Sequence, residues 1–413
     1  MSQFPYKRAP PNYSKVARDV IDSLRARFDF PYDECKQCVT MVVDAARLLL
    51  DIDQLEPFYE VLTNVTVDAE NCFDSSRFRK CLGDLSDAVL DGQQRSWNLY
   101  DDEEEIFNNL TLLRSLTLKA DPEVSRRALR DDNFAHVGRL ILLYQMETRN
   151  SIRSALLSFF QVACKLDKHI ITYLVNSSLP PLIASELLTL SPSDEKTEPF
   201  LRLLATVFST GEAVPFSHYG VLNEQFVDYL IRIFIAQDQL SVGIADLSLA
   251  AIVAFNLHFP PDCYDNIVVK SLSGHELRLL FMERLMIYFN CRDDPISRCT
   301  DTNWTNNLCI VKLLDDIVQT GNLAEFCFKG DQQLFAEIIC REITDIEPDE
   351  RRTAYLKLLA HSIGQLRETA DACKLVNETF KIFACENEAT SCEDKSLVEL
   401  IRATVALSCK ADE

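Results

Sequence analysis

Glycine is scarce in this sequence, at 10 residues in 413, beside 15 prolines. An all-β chain needs turn residues every ~8–12 positions, so strands are not expected. Long apolar runs are also missing: none approaches the ~20 residues that cross a bilayer, and the start, Met1-Ser-Gln-Phe-Pro-Tyr-Lys-Arg8, has no apolar stretch of a signal peptide. The expectation is a chain neither secreted nor inserted in a membrane. Asn-x-Ser/Thr sequons such as Asn109-Leu-Thr111 then carry no glycosylation. Excess positive charge is absent too, since the formal charge is −21. A phosphate-binding surface needs clustered Lys and Arg, so nucleic acid is not an expected partner.

The motifs of common chemistries are lacking as well. No G-x-G-x-x-G and no Gly-Lys pair occurs, so a phosphate has no glycine loop to cradle it. His136, His169, His218, His258, His275 and His361 stand singly, and none pairs at the spacing that puts two imidazoles on one metal. Cys35-Lys-Gln-Cys38 is the one C-x-x-C, without a second pair; it reads as a helix turn. No G-x-S-x-G elbow appears. No cofactor, metal or enzymatic activity is expected.

What is present is a large core. Hydrophobic residues make up 47% and charged residues 25%, the balance of a folded chain. The 15 cysteines lie mostly within apolar helical stretches, as in Phe159-Phe-Gln-Val-Ala-Cys164, and read as reduced, buried thiols. The first thirty residues run against the overall sign, with Lys7, Arg8, Lys15, Arg18, Arg25 and Arg27, a place for an acidic partner to dock.

Residues 1–13, with three prolines and no apolar period, read as a loose tail. From Ser14, apolar residues recur at helical spacing, as in Val16, Val20, Leu24 and Phe28, then Val39, Val42, Val43, Ala46, Leu49 and Leu50. Asp121-Pro-Glu123 and Asp345-Ile-Glu-Pro-Asp-Glu350 are helix starts, and prolines punctuate Leu179-Pro-Pro181 and Asn256-Leu-His-Phe-Pro-Pro261. The runs Val137 to Tyr144 and Val242 to Phe255 are apolar nearly all round, as inner helices are. The fold class expected is all-α, an armadillo/HEAT-like α-solenoid or superhelical helix stack. One helical-repeat domain over 14–410 is expected, with 14–92 as a distinct helical subregion. The acidic run Asp101-Asp-Glu-Glu-Glu105 reads as the start of a helix, where acids stabilise the positive end of the dipole. Trp97 reads as core, with an interface anchor as the alternative.

Six motifs occur in one order: Gln94-Arg-Ser-Trp97, Ala120-Asp-Pro-Glu-Val124, Tyr144-Gln-Met-Glu-Thr-Arg149, Val207-Phe-Ser-Thr-Gly-Glu-Ala-Val-Pro215 with His218-Tyr219, Asn256-Leu-His-Phe-Pro260, and Asn290-Cys-Arg-Asp-Asp-Pro295. That set resembles the C-terminal armadillo-type domain of the WISH/DIP/SPIN class, the Nck-interacting proteins with an Src-homology 3 domain. The resemblance implies a non-enzymatic body that binds and activates the Arp2/3 complex. Linear, unbranched actin filaments would then nucleate without a preformed mother filament. It also implies a cytoplasmic place at the cortical actin cytoskeleton, and a homodimer is compatible with it.

Longer members carry an Src-homology 3 domain and a proline-rich segment, and neither pattern occurs here; the tryptophans, Trp97 and Trp304, form no acidic tail of the branching type. The alternative function is a generic armadillo/HEAT adaptor for another partner. Candidate partner-binding residues are Glu212, Pro215, His218, Tyr219, His258, Arg292, Asp293 and Asp294, in loops and helix ends.

Overall fold

Helix-capping side chains and apolar spacing translate directly into helices. A computed structural model describes residues 12–50, 55–94, 102–236, 242–261, 263–300, 308–320, 323–347, 349–366, 370–383 and 392–409. Among these residues there are 21 α-helices, one 3-10 turn and no strand. The readings of Trp97, Trp304 and residues 1–11 fall outside them.

The chain forms two compact units, Met1–Ile170 and Ile171–Glu413. Composition does not mark this division, which falls inside a helix. The first unit holds α1 (Tyr13–Phe28), α2 (Tyr32–Leu50), α3 (Leu55–Asn64), α4 (Phe73–Gln94), α5 (Glu103–Lys119), α6 (Pro122–Met146) and α7 (Asn150–Leu166). α8 (Lys168–Val175) spans the division. The second unit holds α9 (Leu179–Leu187), α10 (Thr197–Phe208), the 3-10 turn Phe216–Gly220, α11 (Glu224–Ile235), α12 (Val242–Leu257), α13 (Ile267–Gly274), α14 (Arg278–Asn290), α15 (Pro295–Thr300), α16 (Cys309–Thr320), α17 (Leu323–Phe326), α18 (Lys329–Asp345), α19 (Glu350–Ser362), α20 (Ala370–Phe383) and α21 (Cys392–Cys409).

The helix starts read from sequence are where the caps are. Asp121 accepts from the Glu123 backbone N–H at 2.9 Å, with Pro122 in the first turn of α6. Asp349 accepts from Arg351 and Arg352 N–H at the start of α19. Such a cap is worth ~1 kcal/mol against alanine. The acidic run is likewise structural. Glu103, Glu104 and Glu105 fill the first turn of α5, Asp102 takes Arg149 Nη1 at 2.7 Å, and Glu103 accepts from Ser151 Oγ at 2.5 Å.

α12 is the inner helix its composition implies. It packs against α10, α11, α15 and α16, and Leu247 through Phe255 are all buried. Its polar side chains are satisfied inside: Ser248 Oγ donates to the Leu230 carbonyl at 2.7 Å. The run Val137–Tyr144 is less enclosed, open at Arg139. It comes after a break in α6, where Asp132, Asn133 and Phe134 all have positive φ.

In α1 the apolar spacing misleads except at Leu24, which is half-buried against the core. Val16, Val20 and Phe28 are exposed, while Ala17, Ile21 and Arg25 face the core with Tyr32, Cys35, Val39 and Leu62. Arg25 is drawn inward because Asp74 receives its Nε at 3.0 Å and Asp29 its Nη1 at 2.8 Å. Arg18 donates to the Thr66 carbonyl. Two cations of the expected basic end are therefore engaged internally. In α2, Cys35 is buried and Cys38, one turn on, is exposed, so the pair straddles the edge of the buried face.

Candidate functional site

The chain after α10 turns back on the end of α12 through Gly211. Its φ is +67°, and a Cβ there would lie 3.2 Å from Leu257 Cβ and 3.3 Å from the Leu257 carbonyl oxygen. Only glycine combines that backbone with that close approach. Glu212 comes next, accepting from Thr172 Oγ1 at 2.7 Å. Pro215, whose fixed φ suits a turn entry, opens the 3-10 turn, and its carbonyl accepts from His218 N–H at 2.9 Å.

Within the turn, His218 is buried and Tyr219 half-buried. The Tyr219 hydroxyl and His258 Nε2 share a hydrogen bond of 3.0 Å. His258 lies among rings, with centroids 4.5 Å from Phe255, 4.1 Å from Phe259 and 6.4 Å from Phe208. Burial lowers the His258 pKa to about 4 and also lowers that of His218. Burial raises the Tyr219 phenol, helped by the neighbouring Cys263. All three groups are neutral near pH 7, so this is a rigid aromatic cluster rather than an acid–base device.

Two rings in the segments that follow Pro215 and His258 face water. Phe216 is 90% exposed and lies 6.3 Å from the Tyr219 ring; Tyr264, in the segment after His258, is 86% exposed. Tyr264 has the Lys270 ammonium 5.6 Å from its ring centre. It lines a shallow cavity of about 480 Å³ with Cys263, Asn266, Val269, Lys270 and Gln319. The cavity wall is fixed from below. Asn266 caps α13 through Val268 and Val269 N–H and donates to Asn256 Oδ1 at 2.9 Å. Asn256, Asn266 and Lys312 all donate to Asp316 Oδ2. Burial raises the Asp316 pKa, and Lys312 opposes that shift most.

The structure thus brings Glu212, Pro215, His218, Tyr219 and His258 to one end of α12. Arg292, Asp293 and Asp294 belong to its other end. There Asp246 accepts from Tyr288 Oη and pairs with Arg298 Nη1 at 3.0 Å, and Arg298 reaches Asp293 at 3.3 Å. Asp246 and Leu257 are about 16 Å apart along a helix rising ~1.5 Å per residue. Arg292, at φ +56°, pairs with Glu342 at 2.7 Å and Asp345 at 2.9 Å. Asp294 is buried. It accepts from Ile296 N–H, Ser297 Oγ and Cys309 Sγ, and so caps α15. These three side chains hold α14, α15, α16 and α18 together.

Phe216 and Tyr264 are the residues that sequence reading passes over. The one available signal is a bulky aromatic directly after Pro215 and another just past Pro260-Pro261. Among the described residues no group of His, Cys, Asp and Glu is placed to hold a metal, and no helix is long and apolar enough to cross a membrane.

A known family matches the chain from α12 to the start of α20. Residues 241–370 match the family model described as SPIN90/Ldb17, leucine-rich domain. That match, over 130 of the 413 residues, supports the SPIN90/Ldb17 family for this chain. The family is one of non-catalytic, adaptor-type helical domains linked to actin regulation. The aromatic cluster at His258 and the Arg292–Asp294 end both border α12, and α12 lies within the matched leucine-rich domain.

Proposed function

We propose that this chain activates the Arp2/3 complex and promotes nucleation of linear actin filaments without a preformed mother filament. The observation that carries the reading is the aromatic pair Phe216 and Tyr264. Phe216 is 90% exposed next to Tyr219 of the rigid Tyr219–His258 cluster, and Tyr264 is 86% exposed in the segment after His258, within the stretch that matches the SPIN90/Ldb17 leucine-rich domain. Exposed aromatics on a fixed base are what a protein interface uses for affinity, because little side-chain entropy is lost on binding. In this reading Glu212, Pro215, His218, Tyr219 and His258 frame the contact, and Arg292 and Asp293 contribute a second contact at the far end of α12, on a turn that the buried Asp294 holds in place. The mechanism is a population shift. The chain binds the active arrangement of the complex more tightly than the inactive one, with ~1.4 kcal/mol of preference per tenfold shift. The place of action is the cytoplasmic cortical actin network.

The test is single-filament fluorescence of purified protein with Arp2/3 complex and actin monomers. Linear filaments appear without added seeds, and Phe216→Ser and Tyr264→Ser each weaken binding to the complex at least tenfold at unchanged melting temperature. Unchanged nucleation at saturating wild-type protein removes the proposal.

A further inference from the structure

α2 carries an open apolar stripe far larger than its place in a folded unit requires. Met41 is 64% exposed, Val42 68%, Leu48 70% and Leu49 82%. Positions 38, 41, 45 and 48 repeat at intervals of three and four, so Cys38, Met41, Ala45 and Leu48 share one face, with Val42 and Leu49 on its flank. Yet the helix already has a buried side, formed by Tyr32, Cys35 and Val39 packed on Ala17, Ile21 and Leu62. The stripe is therefore a second apolar face rather than a misplaced core. Contiguous apolar patches of this kind mark interaction sites on soluble proteins.

The charges around the stripe are of one sign. Asp33 and Glu34, both exposed, fall on the same open side of α2, within about 80° of Met41 around the helix at ~100° per residue. The two cations of α2 are on the other side and are used: Lys36 Nζ donates to the Val65 carbonyl at 2.9 Å, and Arg47 binds Glu56 and Asp44 and covers the Tyr59 ring. α3, packed against α2, contains no Lys or Arg. On α1, Arg25 is buried with Asp74 and Arg18 holds the Thr66 carbonyl; Lys15 and Arg27 sit in its first and last turns.

We infer that the open face of α2 docks an amphipathic helix of a partner, one with an apolar stripe at three- and four-residue spacing flanked by Lys or Arg. The stripe supplies the burial, and the acids at its N-terminal end select the sign of the partner. This surface lies outside residues 241–370 and is independent of the partner contact proposed at Phe216 and Tyr264.

The experiment uses the full chain and two fluorescent 18-residue helical peptides with the same Leu/Ala stripe, one flanked by Lys and one by Glu. Binding is read by polarisation, and chain mass by sedimentation. The Lys-flanked peptide binds at least tenfold more tightly than the Glu-flanked one. Met41→Ser/Leu48→Ser removes binding, Asp33→Lys/Glu34→Lys weakens it at least fivefold, and the melting temperature holds in both variants. Equal binding of the two peptides overturns the inference, because the face is then merely apolar. Absence of binding overturns it. So does a concentration-dependent dimer that Met41→Ser/Leu48→Ser converts to monomer, since the occupant is then a second copy of the chain.

Discussion

Tyr219 and His258 meet at 3.0 Å through one hydrogen bond, and that bond ties the turn after α10 to the end of α12. Its histidine end is buried and neutral, with a pKa near 4 against an ordinary 6.5. In the unfolded chain the imidazole takes a proton as pH falls below about 6.5; in the folded chain it does so only near 4. The unfolded state binds more protons across that window, so the stability from keeping His258 neutral is complete above about 6.5 and is lost as pH falls towards 4. The advantage of wild type over His258→Gln in urea unfolding should shrink by about 2 kcal/mol between pH 7 and pH 4.5. A difference independent of pH would mean that the ring is not held neutral.

Gly211 has two reasons to be glycine, and they are separable. A side chain in its left-handed backbone costs ~1–2 kcal/mol, and a Cβ also meets Leu257 at 3.2 Å. Gly211→Ala should lower the unfolding free energy by at least ~1 kcal/mol. Gly211→Asn tolerates the backbone better but keeps the Cβ, so its loss should be smaller without vanishing. Recovery of wild-type stability in the Asn variant would remove the close approach from the account.

Neighbouring acids after α14 should behave differently. Asp294 caps α15 and accepts from the Cys309 thiol inside the core, whereas Asp293 meets Arg298 near the surface. Asp294→Ala should cost about 2 kcal/mol, with the lost cap and the thiol left without its acceptor adding together. Asp293→Ala should change stability by less than ~1 kcal/mol. Thermal melts of both variants under one buffer decide this, and equal losses would contradict the geometry.

The all-helical fold is legible in the sequence because caps and periodicity act locally. Asp121 and Asp349 sit where a side-chain acceptor before a helix should sit, and α12 reads as buried because its sequence offers water no polar face. Long-range partners are not legible. Nothing near Arg25 in sequence reveals that Asp74, 49 positions away, pulls it into the core and turns Val16 and Val20 outward. The same limit applies at the candidate site: Tyr219 and His258 both stand out as candidates, but their contact across 39 residues does not. Nor can the sequence separate them from Arg292 and Asp294, which only the length of α12 sets apart. Phe216 and Tyr264 escape sequence reading because exposure is a property of packing; in a linear string an aromatic reads as core.

The break in α6 offers a test of opposite signs at one residue. Asp132, Asn133 and Phe134 have φ of 45°, 52° and 64°, a left-handed run in which each Cβ crowds the backbone at ~1–2 kcal/mol apiece, somewhat less for Asp and Asn. Asp132 is exposed, so replacing it disturbs no packing. Glycine removes the crowding but adds freedom to the unfolded chain, which offsets part of the gain. Asp132→Gly should therefore raise the unfolding free energy by ~0.5–1 kcal/mol, while Asp132→Ala, which keeps a Cβ and loses the local hydrogen bonding that eases Asp into this region, should lower it. Equilibrium urea titrations with matched slopes measure both. If alanine instead stabilises the chain, α6 runs through this segment as a regular helix in solution, since alanine favours the right-handed helix and glycine opposes it.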